Sequence, residues 1–343
     1  MTTPGSKLLS LSPPQWPVSP LPLAAAVSIN GGLGLIGIVN DMTTLDVELQ
    51  SARQTLMDAG MIPSSNSALP IGIGLLLFIT PFDLAISVVK KHRPAVVWLS
   101  FASSLSDFSV WASAIRAASP TTKVWIQLET VAAALEVVQS ATPDVLVMQG
   151  SDAGGHGFEK SAGIVSLVPE TIDALVGAGY GNLPILAAGG IADGRGVAAA
   201  LSLGTSGVVM GTRFLVSSEC VLHPRYREAI LNARDGGQAT VRTKVFDELR
   251  GPNIWPEPYD GRAIRNESWR DMHSGTDLVE IRRRYAEAAD GEDGGYGEGV
   301  NGRTMIWAGA GVGLVNNIQS AGQILGEVRD EARKALERAR AGL

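Results

Sequence analysis

A histidine flanked by glycines is the residue best suited for chemistry in this sequence. His156 lies in a glycine-rich segment that follows directly on the apolar run Val145–Gln149. An imidazole titrates near neutral pH and can accept a proton from a bound substrate. Because Gly155 and Gly157 keep the ring off an apolar helix face, the pattern favours a general base. A hydrogen-bonded structural histidine is the alternative.

Two later glycine loops have the composition of a phosphate site. Gly189 and Gly190 follow one apolar run, and Gly211 and Thr212 follow the next. Backbone N–H groups in such loops donate to phosphate oxygens, and glycine lets the backbone approach closely. In parallel barrels the loops after the last two strands often bind phosphate. We therefore expect a phosphate-bearing ligand; the alternative is that these glycines only end the strands.

Two further glycine motifs match parts of a dinucleotide fingerprint in the wrong context. Gly32–Gly37 fits the G-x-G-x-x-G pattern but runs into apolar, strand-forming residues instead of opening a helix. Gly309–Gly313 precedes a predicted helix, yet Leu314 occupies the position of the third glycine. We interpret the first motif as a helix end followed by a strand, and the second as a glycine turn packed close against a cofactor.

Eight short apolar runs, alternating with helical patterns, would position these loops. Most are apolar throughout, which is typical of parallel strands buried on both faces. The spacing of roughly 25 residues per strand–helix unit predicts an α/β fold, a (β/α)₈ TIM barrel, with a doubly wound sheet as the alternative. The predicted strands are Leu8–Ser12, Leu33–Val39, Ile71–Ile79, Ala95–Ser100, Lys123–Leu128, Val145–Gln149, Ile185–Ala188 and Gly207–Met210.

The pattern changes after the last predicted strand. Residues 250–269, rich in proline and charge, are interpreted as an irregular loop, and a long helix is predicted from about Leu314 to Ala341. We expect Trp255 and Trp269 to pack in a small-domain core; the alternative is that they line the outer wall of the pocket. We divide the chain into three parts. Residues 1–214 form a barrel, residues 215–303 form a smaller, mainly helical or irregular domain on the substrate side, and residues 304–343 form a C-terminal helix that returns to the barrel.

The composition of the chain argues against several classes of binding partner. The chain has 28 Lys and Arg against 34 Asp and Glu, a net charge of −6, which argues against nucleic acid and anionic membranes. The apolar run Leu69–Ile79 is too short to span a bilayer. The single cysteine, Cys220, excludes a disulfide framework and a Cys-based zinc site, and no histidine or carboxylate spacing predicts a metal. We expect a cytoplasmic protein with a small-molecule substrate; a homo-oligomer is compatible with the sequence.

Three segments together resemble the nitronate monooxygenases, an FMN-dependent family of (β/α)₈ enzymes. The segments are Gln149–His156, Ile185–Ile191 and Val208–Phe214. By matching position, the resemblance implies that Gln149 and Gly154 line the flavin and that His156 is the catalytic base. It further implies that the flavin phosphate is held by Gly189 and Gly190, that the cradle is completed by Gly211 and Thr212, and that the first strand meets the flavin at Pro14.

The resemblance also implies a reaction. Family members oxidise alkyl nitronates with O₂, through FMN, to carbonyl compounds and nitrite, and a neutral nitroalkane first loses its α-proton to the histidine. The related flavin-dependent enoyl thioester reductases share much of the His156 segment. The alternatives are therefore an NAD(P)H-dependent reductase of enoyl thioesters or another unsaturated substrate, and a catalytically silent flavin-binding relative.

Three positions depart from the family pattern. Gln15 stands after Pro14 where the family usually has methionine, and Gly74 stands where many members carry an asparagine directed at the flavin. Asp152 replaces the commoner glutamate. These departures concern contacts to the flavin ring and its surroundings, and they bear on the substrate more than on the cofactor.

Overall fold

The computed structural model of the chain describes residues 8–11, 21–37, 41–298 and 301–342. Its strands, in chain order, are β1 (Leu8–Leu11), β2 (Leu33–Gly37), β3 (Leu69–Leu76), β4 (Pro94–Ser100), β5 (Lys123–Leu128), β6 (Val145–Gln149), β7 (Gly155–Phe158), β8 (Ile185–Ala188), β9 (Gly207–Met210), β10 (Thr240–Thr243) and β11 (Tyr259–Ile264). Its α-helices are α1 (Leu21–Ile29), α2 (Met42–Asp58), α3 (Phe82–His92), α4 (Asp107–Ala118), α5 (Val131–Ala141), α6 (Ile164–Gly177), α7 (Gly194–Ser202), α8 (Thr212–Leu215), α9 (Pro224–Asn232), α10 (Gly236–Ala239), α11 (Val245–Glu248), α12 (Glu267–His273), α13 (Leu278–Ala289) and α14 (Ala321–Ala341).

Eight of the described strands close into a parallel barrel in the order β1-β2-β3-β4-β5-β6-β8-β9. Strand β9 pairs with β1, so the sheet has no free edge. The predicted TIM barrel is confirmed, and the doubly wound alternative is wrong because an open sheet would leave its two outer strands unpaired. The end predicted for β2 at Val39 lies outside the described residues.

The barrel strands from β2 onward are mostly apolar because both faces of the sheet are covered. Side chains that point inward, among them Trp98, Trp125 and Val147, form one buried cluster, and the two indole rings lie 6.4 Å apart. Side chains that point outward pack against the surrounding helices in a second, larger cluster. Among the described residues, no helix is long and apolar enough to cross a membrane.

Several helices begin where a side chain bonds the first free backbone N–H groups. Asp41 accepts from the N–H groups of Thr43 and Thr44 at the start of α2 and so caps this helix. Asp193 caps α7 in the same way. Helix α6 begins at Ile164 without a side-chain cap, and Pro169 lies within it.

A second sheet lies beyond the barrel and was not predicted. Strand β11 pairs antiparallel with β10 and with β7, the strand that carries His156. The predicted irregular loop over residues 250–269 is therefore wrong in its second half, which contains β11 and the start of α12. Buried side chains of α11, β11 and α13, including Phe246 and Ile281, form a small core beside this sheet.

The C-terminal helix returns to the barrel as predicted but begins later. Ala310–Leu314 forms a 3₁₀ helix, and α14 starts at Ala321 after a capping box between Ser320 and Gln323. Helix α14 packs on α7 and α1. A Cβ at Gly194 of α7 would come within 2.4 Å of the Ala332 backbone nitrogen, so glycine permits this close crossing.

Candidate active site

A cavity of about 240 Å³ opens at the carboxyl ends of the barrel strands. Its floor is formed by residues that lie close to the carboxyl ends of six different strands, namely Gly37, Gly74, Trp98, Gln127, Gln149 and Gly211. Its wall is largely aromatic and aliphatic. Active sites of barrel enzymes lie at this end of the barrel because the loops that follow the strands converge there.

A smaller cavity of about 60 Å³ adjoins the first and is lined by the predicted phosphate loops. Both cavities share Gln149, Gly154, Gly211 and Thr212, so they form one continuous site. The structure thus brings together all of the predicted site residues except Pro14, which, like Gln15, lies outside the described residues.

Three glycines of the smaller cavity, Gly189, Gly190 and Gly311, are required by its geometry. Gly189 and Gly190 have φ angles of 103° and 73°, which side-chain-bearing residues rarely adopt. A Cβ on Gly311 would lie 2.5 Å from the Gly190 carbonyl oxygen, so the turn after Trp307 closes tightly over the loop. A Cβ at Gly211 would meet no atom within 4 Å and would project into open space. A small cradle of backbone groups beside a larger apolar cavity fits a planar ring that carries a phosphate.

The first dinucleotide-like motif has a packing explanation. A Cβ on Gly34 would lie 1.9 Å from the Ala24 carbonyl oxygen, so glycine lets α1 pack directly on β2. Gly309 is likewise pressed against the backbone of Asp152 and Gly154. Its N–H donates to Thr212 Oγ1 at 3.0 Å, which ties the glycine turn to the phosphate loop.

His156 lies on β7 at the wall of the larger cavity. Its Nε2 is 2.7 Å from Asp247 Oδ1, and 12% of the histidine side chain and 5% of the aspartate side chain are exposed. Its ring stacks on Trp255, with centroids 3.5 Å apart and planes 9° apart. The ring of Trp307 lies 4.7 Å away at a tilt. The aromatic rings therefore fix the plane of the imidazole, and the Asp247 carboxyl group fixes which ring nitrogen points toward it.

Trp255 lies in the cavity wall and not where the sequence predicted. Trp255 lines the cavity and contacts Phe78 and Phe101 as well as His156, so its predicted place in a small-domain core is wrong. Trp269 does pack against the small core of the second sheet. Residues 215–303 thus supply part of the cavity wall, and nothing in the local sequence around Trp255 signals which of the two places it takes.

Gln149 is oriented by a buried acid. Its Nε2 donates to Glu129 Oε1 at 3.1 Å and to the His156 carbonyl oxygen at 2.9 Å. Gln127 Nε2 donates to the same Glu129 oxygen at 2.9 Å. Because both amide nitrogens donate to the acid, neither amide oxygen takes part in these hydrogen bonds. Burial raises the pKa of Glu129 to about 7, although these hydrogen bonds and nearby Arg242 favour its charged form.

The departure at Gly74 widens the floor of the site. A Cβ there would have its nearest neighbours at 3.9 Å, the Gly37 Cα and the Ile36 carbonyl oxygen. The position therefore has room for a side chain such as the family's asparagine, and glycine leaves that room to a ligand. No cluster of three or more potential metal ligands occurs within the described ranges.

Comparison with known proteins agrees with this architecture. A family model described as nitronate monooxygenase matches residues 66–331. Nitronate monooxygenase npaC of Metarhizium robertsii is 43% identical over 92% of this chain and 88% of its own length. A nitronate monooxygenase of Neurospora crassa is 37% identical over 96% of this chain and 90% of its own length.

Solved structures show the same fold. FabK of Thermotoga maritima matches with a TM-score of 0.74 and 23% identity, covering 98% of this chain and 96% of its own. A nitroalkane oxidase of Streptomyces ansochromogenes matches with a TM-score of 0.70 and 20% identity, covering 97% of each chain. At these identities the likeness concerns the fold alone. The extent of the family match and the identity to the two fungal proteins establish that this chain belongs to the nitronate monooxygenase family.

Proposed function

We propose that this chain is an FMN-dependent nitronate monooxygenase that converts alkyl nitronates and nitroalkanes to carbonyl compounds and nitrite, with O₂ as oxidant. One observation carries the proposal: the glycine-flanked His156 lies at the wall of an apolar cavity that continues into a glycine cradle. Membership of the family supports the reaction class. The proposed partners are the small substrate and O₂.

FMN fits the residues present. Gly189 and Gly190 would hold its phosphate with backbone N–H groups, and Gly211 and Thr212 would complete the cradle. Gln149 and Gly154 would line the ring, and the resemblance to the family adds Pro14 as a further proposed contact. Bound FMN supplies the electron transfer between the nitronate and O₂.

The protein's own contribution begins with a proton. A neutral nitroalkane bears an acidic α-hydrogen, and His156 would take it as a general base, which leaves the electron pair on the nitro group as a nitronate. The apolar wall, with Trp255 and Phe101, excludes water from the bound substrate. A nitronate supplied already ionised needs no base, so the two substrates separate binding from proton transfer.

Product analysis tests the proposal. Purified protein should consume O₂ and release nitrite when given ethylnitronate. It should not oxidise NADPH in the presence of a crotonyl thioester. Rapid NADPH oxidation with the thioester and no nitrite from the nitronate would contradict the proposal and favour the reductase.

A further inference from the structure

The proposed base has a partner that the sequence did not indicate. Asp247 Oδ1 lies 2.7 Å from His156 Nε2, and Asp247 Oδ2 is buried without a hydrogen-bond partner among the described residues. The carboxyl group is therefore committed to a single interaction. A buried carboxylate with so few partners costs folding free energy, which calls for a functional reason.

Asp247 is held in place by its neighbours along the chain. It lies on the short helix α11, directly after the buried Phe246 and one residue before the helix ends at Glu248. Phe246 packs in the small core and meets the edge of Trp307, with ring centroids 6.0 Å apart. Opposite His156 on β11 lies Gly261, where a Cβ would come 2.3 Å from the Trp307 ring. Glycine at this position thus lets Trp307 close on the histidine.

The pairing determines which histidine nitrogen is free. An ionised carboxylate can only accept hydrogen bonds, so Nε2 of a neutral His156 must carry the proton. The lone pair is then on Nδ1, which makes no hydrogen bond within the described part of the chain. Rotating the ring would break the bond to Asp247, and the parallel stacking on Trp255 at 3.5 Å fixes its plane.

We propose that Asp247 is a positioning residue that holds His156 with the proton on Nε2, so that Nδ1 is the atom that takes the substrate's α-proton. In this step the substrate C–H bond breaks, an N–H bond forms at Nδ1, and the C–H electron pair moves into the nitronate. The resulting imidazolium is stabilised by the Asp247 carboxylate and later returns its proton to solvent. The inference rests on the proposed function, because it assigns the base of that reaction.

Asp247→Asn tests the role with little change in size. The asparagine amide can donate to Nε2, which favours the tautomer with the proton on Nδ1. We expect kcat/KM for nitroethane to fall by about 100-fold or more and kcat/KM for ethylnitronate to stay within about fivefold. FMN content and Tm should remain near those of the wild type, and Asp247→Glu should restore part of the nitroethane activity. Glu248→Gln, which removes the neighbouring charge on α11, is the matched control and should behave as wild type.

A tautomer measurement makes the test independent of turnover. In ¹⁵N-histidine-labelled protein at pH 8, the His156 signals, identified by their loss in His156→Asn, should show a proton on Nε2 in the wild type and on Nδ1 in Asp247→Asn. The same tautomer in both proteins would overturn the inference. Equal loss of activity on both substrates, together with a lowered Tm, would also overturn it and make the pair a structural tie. If the wild type oxidises neither substrate but shows the expected tautomers, the proposed function fails while the positioning role stands.

Discussion

At the scale of single residues, the site depends on side chains that are oriented by partners from other elements. Glu129 fixes the amides of Gln127 and Gln149, and Asp247 fixes the ring of His156. Each partner is buried, so its hydrogen bond is not weakened by competition with water. The chemistry of the cavity is therefore determined by which atoms these partners leave free.

His156→Asn tests the base directly. We expect the variant to keep FMN, because the histidine does not line the glycine cradle, and to lose about 100-fold or more in nitroethane turnover. Turnover of preformed ethylnitronate should fall much less, since its α-proton is already absent. Steady-state kinetics on both substrates is the measurement, and an equal loss on both would refute the general-base role.

Glu129 makes stability depend on pH. Its pKa rises from an ordinary 4.5 to about 7 on folding, so the folded state binds the proton more tightly than the unfolded chain. Its contribution to stability is thus largest below pH 4.5 and is lost as the pH rises to about 7, by about 3 kcal/mol in all. Glu129→Gln should remove this dependence.

Thermal unfolding between pH 5 and pH 8 measures the effect. The difference in Tm between Glu129→Gln and the wild type should shift in favour of the variant as the pH rises. A difference that stays constant over this range would mean that the carboxyl group is not buried as described. Ser113→Ala, an exposed helix change far from the cavity, is the control.

At the scale of elements, the barrel strands could be predicted and the second sheet could not. The barrel strands are apolar because both of their faces are buried. Strand β11 instead contains Asp260 and Arg262, and the buried pair of Arg242 with Asp260 provides the charge compensation that burial requires. Its partner β7 is three-quarters glycine and aromatic residues and lies about 100 residues earlier, so no local pattern reveals the pairing.

A substitution in the loop after β8 tests the proposed binding of the FMN phosphate. Gly190→Val places a β-branched side chain at a φ of 73°, with its Cβ 3.0 Å from the Asp152 Cβ, and displaces the backbone that would hold the phosphate. We expect the Kd for FMN to rise at least about tenfold and the flavin content after purification to fall.

Gly179→Val is the matched control for this change. Gly179 has a comparable φ of 86° but no atom within 4 Å of a built Cβ, and it lies in the turn after α6, away from both cavities. The Gly179→Val variant should have a similar backbone strain but retain its flavin. Unchanged flavin content in Gly190→Val would refute the phosphate assignment.

At the scale of the whole molecule, the site is assembled from the barrel and from residues 215–303. The barrel supplies the floor, and the later segment supplies Asp247 and Trp255. His156 could be predicted because its glycine-rich segment is local, whereas Asp247 is 91 residues away and belongs to no motif. Long-range packing of this kind is determined by tertiary structure and has no periodic signature in the sequence.

Paired tryptophan variants test this division of roles. Trp255→Ala removes the ring that stacks on His156, so kcat/KM should fall on both substrates while Tm changes little. Trp269→Ala removes a ring that packs against the small core, so Tm should fall while kcat/KM is largely kept. Steady-state kinetics and thermal unfolding are measured for both variants. A lowered Tm with normal kcat/KM in Trp255→Ala, and a lowered kcat/KM with normal Tm in Trp269→Ala, would contradict this division of roles.

We propose that this cavity holds FMN that a nitronate can reduce. The most direct measurement is the visible absorption spectrum of the purified protein, recorded before and after anaerobic addition of ethylnitronate. We expect a flavin spectrum that bleaches with the nitronate and recovers when O₂ is admitted. A bound flavin that does not respond to the nitronate, or a colourless protein that cannot be reconstituted with FMN, would contradict it.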